Sequence, residues 1–572
     1  MNKRKKFKRY LSGALSALVL LTFVVLIGPS RSGFGAMPEE FDRNIKNKET
    51  SFYREFFDRI FYDQVAQFFR LDRVKDKVSL KKHEALDINP FDEVPDSGFF
   101  VNRNARKHLS PSELKEGPAN MKGPGPDSKG PWKVLKGEVA GVSAGLLIED
   151  QKGDRYFLKF DPKDNPEMAT SAEIISHKFF YALGYHVPEY YLVRFNPEIL
   201  KPDPKATYYN KDGFKEPLTQ EALGEILDRV PKFKEGLVRA SAGKMLTGVK
   251  GYTNFDGRQK TDPDDLIPHE DRRSLRALQV FGSWLNHYDL REGNTLNVVE
   301  TENGKVLVKH YLINFGATLG SASSHPKVPA AGYEHIVDWF AVGKTVPTLK
   351  VVEKPWEKKW DALNRQVAYP SLGYFDNSQF NPNEWKTQLP YEVFNRLTRG
   401  DAFWAAKLLM SFTDEDIRSI VESAEFSDPE NAKLLSEILI ARRDIIGRYW
   451  FSHVTPLDQI RLSEVEGGKY QIQFVDLAVQ HGFAKPEESR YRYRLVAIDP
   501  KGHHRQLKGW QEVDTPTFSF ELPSLDSGNK VALNIQAKHG GNGVWSDPQL
   551  KVVLAKTTQD TPNNIIEIDH GI

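Results

Sequence analysis

The chain has 572 residues, enough for three or four domains at roughly 150 residues each. Hydrophobic residues make up 40% and charged residues 27%, which excludes wholesale disorder and fibrous architecture; the absence of cysteine excludes disulfides, thiolate metal sites and cysteine nucleophiles. The formal charge of +2 conceals an asymmetry: residues 1–36 carry Lys3, Arg4, Lys5, Lys6, Lys8, Arg9 and Arg31 and no acid, so the remainder is net negative, which argues against a nucleic-acid partner.

Six of those bases precede an apolar run over 11–27 that Gly28-Pro29 ends, and small residues follow up to Ala36. Residues 1–36 therefore read as a signal peptide or, through residues 11–27, as a single retained membrane anchor. Either reading predicts an exported protein, periplasmic or extracellular. Residues 37–130 read as a helical and irregular extension: aromatics recur at helical spacing over 37–70, and Pro, Gly, Asn and Asp crowd 85–131.

From Trp132 the pattern changes. Strands are predicted over 132–136, 146–148 and 155–160, a helix over 167–183, a strand over 190–195, and a strand over 237–246. Between the last two lies a polar insertion over 196–235 with one helix near 220–230. A helix over 271–286 comes next, followed by a hairpin over 295–299 and 306–313, helices within 391–451, and an all-β segment from about 459. The last residues, from about 557, read as a frayed tail.

Four features of this order carry chemistry. Gly137, Gly141 and Gly145 lie in a hairpin whose backbone could approach phosphates closely, although hairpin glycines by themselves are turn residues. Lys159 lies within an apolar strand and Glu173 on the helix after it, a placement that could hold the ammonium toward nucleotide phosphates; an edge lysine reaching solvent is the plainer alternative. In His287-Tyr288-Asp289-Leu290-Arg291-Glu292-Gly293-Asn294, between helix and hairpin, Asp289 can accept a hydroxyl proton and Asn294 can offer an amide oxygen to a divalent cation. Finally, the strand before Asn314-Phe315-Gly316 delivers a metal-ligand position into a tight turn. The acids at Asp262, Asp264, Asp265 and Glu270 could position an acceptor or a second metal, or form a solvated turn before a helix cap. His310 reads as a strand histidine, and Trp356 and Trp360 as packing residues.

In this order the residues resemble the protein-kinase-like superfamily, over about 130–450. Within it, the segments around Lys159, Glu173, Asp289 and Asn314 look like a group of exported bacterial proteins distantly similar to HipA-like and secretory-pathway kinases. The resemblance implies an α+β fold: a two-lobed core with an N-terminal lobe over 131–250 and a helical C-terminal lobe over 251–455. A β-sandwich of immunoglobulin or fibronectin type, read from the residues, would follow over 459–556, with a tail over 557–572. It also implies ATP with Mg²⁺ or Mn²⁺: Asp289 as base, Lys159 as phosphate anchor oriented by Glu173, and Asn294 and Asn314 as metal ligands. The chain departs from the family at Asn314, where the pattern has aspartate. The expected function is accordingly a nucleotide-binding or scaffold protein of the cell envelope with a degenerate metal site, facing an unidentified protein or envelope acceptor. The alternatives are an active ATP-dependent phosphotransferase, or an envelope binding protein whose motif match is accidental.

Overall fold

The computed structural model describes residues 83–118, 125–127, 129–138, 144–210, 214–302, 304–336, 369–522, 528–540, 543–556 and 563–571. The leader over 1–36, the helix expected over 37–70, Gly141, Trp356 and Trp360 lie outside these residues. Among the described residues no helix is long and apolar enough to cross a membrane.

The segment before the first strand is largely irregular but not loose. Phe99 and Phe100 are buried in it, and it carries one short helix, α1 (Pro111–Glu116), whose Ser110 and Glu113 form a capping box. Then come β1 (Trp132–Glu138), β2 (Gly145–Glu149), β3 (Arg155–Phe160), α2 (Met168–Leu183) and β4 (Tyr190–Phe195). Tyr156, Leu158 and Phe160 of β3 enter one apolar cluster with Trp132, Val134 and Ile148, so strand alternation turns Lys159 to the other face, toward α2.

The polar insertion differs from expectation. It adds two strands, β5 (Leu200–Tyr209) and β6 (Lys215–Pro217), before α3 (Gln220–Leu227) and β7 (Val238–Lys244). β5 contains Pro202 and Pro204, yet it pairs parallel with β1 across a register shift that separates the Val134–Pro202 pair from the Lys136–Thr207 pair. Such an irregularity, far from the sheet centre, is where proline is tolerated. The mixed sheet runs β4-β7-β3-β2-β1-β5-β6, and α3 covers its apolar face with Leu223 and Ile226.

The helix expected over 271–286 is divided into α4 (Arg273–Arg276) and α5 (Leu278–Leu285); its start is set by the Asp87 carboxylate, which accepts from Arg273 N and Ser274 N. The hairpin β8 (Thr295–Glu302) and β9 (Lys305–Leu312) follows, then α6 (Glu392–Asn395), α7 (Arg399–Met410), α8 (Asp414–Glu422) and α9 (Pro429–Phe451). One large apolar cluster joins α2, α5, α7, α8 and α9, so α2 belongs to the helical body while Lys159 comes from the sheet.

Two further sheets complete the chain, built from β10 (Leu457–Val465), β11 (Lys469–Asp476), the short α10 (Leu477–Gln480), β12 (Ser489–Ile498), β13 (His504–Val513), β14 (Thr517–Phe520), β15 (Lys530–His539), β16 (Leu550–Lys556) and β17 (Asn563–Asp569). The orders are β10-β11-β14 and β13-β12-β15-β16-β17, and the two sheets share one core, including Leu457, Ile472, Phe474, Tyr491, Leu533 and Val552. The expectation of a frayed tail from 557 is corrected: β17 pairs with β16, and the His570 ring is buried, its Nδ1 against Asp92 Oδ2 at 2.7 Å and its Nε2 against Leu457 O at 2.9 Å. A polar, asparagine-led ending hid an edge strand that two isoleucines hold.

Candidate functional site

Lys159, Glu173, Asp289, Asn294 and Asn314 converge on one hydrogen-bonded chain. Lys159 Nζ donates to Glu173 Oε2 at 2.9 Å and to Asn314 Oδ1 at 2.8 Å. Asn314 Nδ2 donates to Asn294 Oδ1 at 3.0 Å, and Asn294 Nδ2 donates to Asp289 Oδ2 at 2.9 Å and to the Asp289 carbonyl at 2.7 Å. Arg291 Nε closes the far end on Asp289 Oδ1 at 3.0 Å. Both amide orientations follow from the ends of this chain. An ammonium can only donate and a carboxylate can only accept, so each amide must turn its oxygen toward Lys159 and its nitrogen toward Asp289.

Local backbone explains the placement. Asn314 adopts the left-handed conformation (φ 66°, ψ 63°), which asparagine tolerates better than most residues. Its N–H faces Tyr190 Oη at 3.4 Å, while the next amide, Phe315 N, donates to Glu173 Oε1 at 2.9 Å. A Cβ on Gly316 would come within 3.0 Å of Glu173 Oε2, so glycine there keeps the carboxylate close. Glu173 is fully buried, whereas the side chains of Lys159, Asp289 and Arg291 are 22%, 21% and 17% exposed. The charged ends of the chain therefore face solvent and can meet a ligand.

Behind the site, Phe315 stacks on Phe180 and lies against His287. Burial, with Lys327 and Arg291 nearby, pushes the His287 imidazole down to about 3, so it is neutral at ordinary pH. Lys327 is buried too, donating to the carbonyls of Asn286 and Leu319, and burial lowers its pKa well below the usual ammonium range. Sequence reasoning gave no role to Arg291, Tyr190 or Lys327. Arg291 lay inside the quoted motif, and a cation two residues after Asp289 was the available signal; the other two meet the site only through the fold.

The other residues singled out in the sequence have local packing or hydrogen-bond partners. Gly137 packs against Tyr208 and Ile226, where a Cβ would come within 3.1 and 3.2 Å, and a Cβ on Gly145 would come within 2.9 Å of the Phe157 ring. Gly145 does stand opposite Lys159 in the β2–β3 register. In the acidic loop Asp265 is buried and accepts from His269 Nε2 at 2.8 Å, Arg272 Nη2 at 2.7 Å and Gln259 N at 2.6 Å. It holds the loop together; Asp262 Oδ1 accepts from Asp264 N at 3.0 Å in a local turn. His310 is buried between Asn297 Oδ1, at 2.7 Å, and the Phe99 ring. A cavity of about 780 Å³ opens beyond the β8–β9 hairpin, between Arg103, His186 and Tyr311, but none of the five converging residues lines it.

The donor set does not fit the Mg²⁺ or Mn²⁺ that a kinase-like core implies. Such hard cations favour anionic oxygen. Here the Asn314 and Asn294 oxygens already accept from Lys159 and Asn314, and the carboxylate of Asp289 is engaged by Arg291 and Asn294. Among the described residues no three acidic or histidine side chains come together as a metal-holding group.

Glu173→Gln is expected to lower stability by about 2 kcal/mol, because a charge-assisted bond to Lys159 is replaced by a neutral one; denaturant midpoints measure this. Glu173→Ala should cost more, since it also vacates packed space and leaves Phe315 N without its acceptor.

A Helicobacter pylori proinflammatory kinase, CtkA, is similar at 13% identity, with 54% of this chain and 91% of that chain covered and a TM-score of 0.28. A golgi casein kinase is similar at 9% identity, with 75% and 94% covered and a TM-score of 0.29. No family model matches the chain, and no curated protein does. At these TM-scores the kinase-like reading stands on the side-chain chain from Lys159 to Asp289.

Proposed function

We propose that this is an exported protein whose kinase-like core binds a nucleotide without supporting efficient phosphoryl transfer, and that it serves as a nucleotide-binding or scaffold protein of the cell envelope. The observation that carries the reading is the Asn314 oxygen accepting the Lys159 ammonium where the family pattern has a metal-binding carboxylate. Removing one negative charge from a site of effective dielectric near 20 forgoes about 4 kcal/mol at a few Å. The same loss from the transition state slows chemistry by about a thousandfold. Convergence of five residues that lie as far apart as 159 and 314 in sequence supports a built site rather than an accidental motif.

The basic, then apolar, N-terminal sequence supports export, with retention through residues 11–27 or cleavage after Ala36. The shared core of the two C-terminal sheets supports a β-sandwich module, whose role beside the core is that of a spacer or docking element for an envelope partner. Fractionation of cells expressing the full chain checks the location.

Nucleotide binding is tested by thermal unfolding with ATP. At a hundredfold excess over Kd, stabilisation should reach about 2.7 kcal/mol. No shift with any nucleotide, with or without Mg²⁺ or Mn²⁺, would leave only the scaffold role. Wild-type phosphotransfer that Asp289→Ala abolishes would reject the inactive reading.

A further inference from the structure

The misfit between the donor set and a divalent cation bears on how phosphate charge is met. One route to a metal is to free an amide oxygen by reversing the hydrogen-bonded chain. Turning Asn314 around would set its NH₂ group against the Lys159 ammonium, donor against donor; turning Asn294 would set its NH₂ against that of Asn314 and its oxygen against the Asp289 carboxylate. A dication placed at the Asn314 oxygen without reversal would sit beside the Lys159 ammonium, which already takes that oxygen at 2.8 Å. Each route opposes a metal, and together they leave the site with its own fixed cations, Lys159 at the sheet end and Arg291 at the loop end, both partly exposed.

We infer that the site takes a nucleoside triphosphate without a divalent ion, with Lys159 and Arg291 supplying the counter-charge to its phosphates; this rests on the nucleotide-binding reading above. Arg291 suits the part. Its planar guanidinium presents donors in a fork that matches phosphate oxygens, and it stays charged at any physiological pH. The Asn294–Asn314 amide pair lies between the two cations and holds them apart at the two ends of one chain. In this arrangement Asp289 orients Arg291 through the 3.0 Å contact, rather than awaiting a hydroxyl proton.

The test is calorimetric titration of the full chain with ATP, once in EDTA and once in excess magnesium. ATP is expected to bind severalfold more tightly in EDTA than in excess magnesium, which takes up the phosphate oxygens that Lys159 and Arg291 would otherwise meet. Arg291→Gln should weaken binding by about tenfold or more in EDTA, the share of one charge-assisted phosphate contact, and Arg291→Lys should recover part of it. Asn314→Asp should shift the preference toward the magnesium complex, and unfolding midpoints close to wild type show that these variants are folded. Binding by the wild type in magnesium alone would overturn this inference while the nucleotide-binding reading stands. Unchanged affinity of Arg291→Gln in EDTA would overturn the assignment of Arg291. Binding in neither condition would overturn the nucleotide-binding reading itself.

Discussion

Acidification from pH 7 to 5 is expected to cost the folded protein several kcal/mol, well before its carboxylates begin to protonate. Burial pushes the imidazole of His177 down to about 3, with Lys178 adding to the effect; burial does the same to His287, to about 3, and to His186, to about 4, helped there by Arg103 and Lys309. His310 is lowered well below the ordinary range, again by burial first. All four are neutral in the fold, but in the unfolded chain an imidazole protonates near 6.5. The unfolded state therefore binds more protons below that pH. The stabilisation is whole above about 6.5 and is lost as pH falls toward the folded-state values. At pH 5 each such group forgoes about 2 kcal/mol, so even two or three of them take a large part of a typical net stability of about 5–15 kcal/mol. Asp265 works in a separate window. Burial alone would raise its pKa, but the hydrogen bonds from His269, Gln259 N and Arg272 outweigh it and hold the carboxyl at about 2, so its contribution is present above about 4 and lost between 4 and 2. Urea midpoints at pH 7, 6 and 5 measure the first window, and His287→Phe should flatten it by one histidine's share. A midpoint that does not move between pH 7 and 5 would show that these imidazoles gain protons without unfolding.

Strands with one apolar face were legible in the sequence. Alternation of Tyr156, Leu158 and Phe160 marks β3, and a short apolar run, Tyr190–Val193, marks β4. Strands that are largely exposed or interrupted by proline were not. β5 carries two prolines, β13 is half-exposed or fully exposed along its whole length, and β17 ends the chain in asparagines and acids. Their pairing comes from the neighbour that already has a face to offer, and no residue of their own announces it. The start of the helix expected over 271–286 was illegible for a similar reason: the carboxylate that starts α4 at Arg273 belongs to Asp87, nearly two hundred residues earlier.

The site divides along the same line. Lys159, Glu173, Asp289, Asn294 and Asn314 could be named because the residue type carries the chemistry and the order of elements carries the position. What the sequence could not supply was the direction of each side chain. The amide-to-amide bond between Asn314 and Asn294 is visible only in three dimensions, and it is this bond that turns two candidate metal ligands into links of a closed chain. Tyr190 and Lys327 reach the site from residues far away in sequence, with no pattern to mark them.

Asp401→Ala is expected to destabilise the protein by about 3–5 kcal/mol, the range for a buried charge partner removed from its cations. Asp401 is fully buried, accepting from Arg273 Nε at 3.0 Å and Arg276 Nη1 at 3.2 Å, and it also closes the capping box of α7 with Thr398. Arg276 has no exposed side-chain surface; it keeps Asp271 and two carbonyls, and Arg273 keeps Asp92, but the carboxylate that the two guanidiniums share is gone. Asp401→Asn retains the acceptor and the cap, so its difference from wild type reads the charge and its difference from the alanine variant reads the hydrogen bonds. Because α4 and α5 lead directly into the loop bearing Asp289 and Asn294, the alanine variant should also bind nucleotide more weakly, whereas Asn314→Asp changes the metal response with little change in stability. A loss of less than about 1 kcal/mol in the urea midpoint of Asp401→Ala would mean that water or a rearranged acid reaches both arginines, and that their carboxylate is dispensable for seating α4.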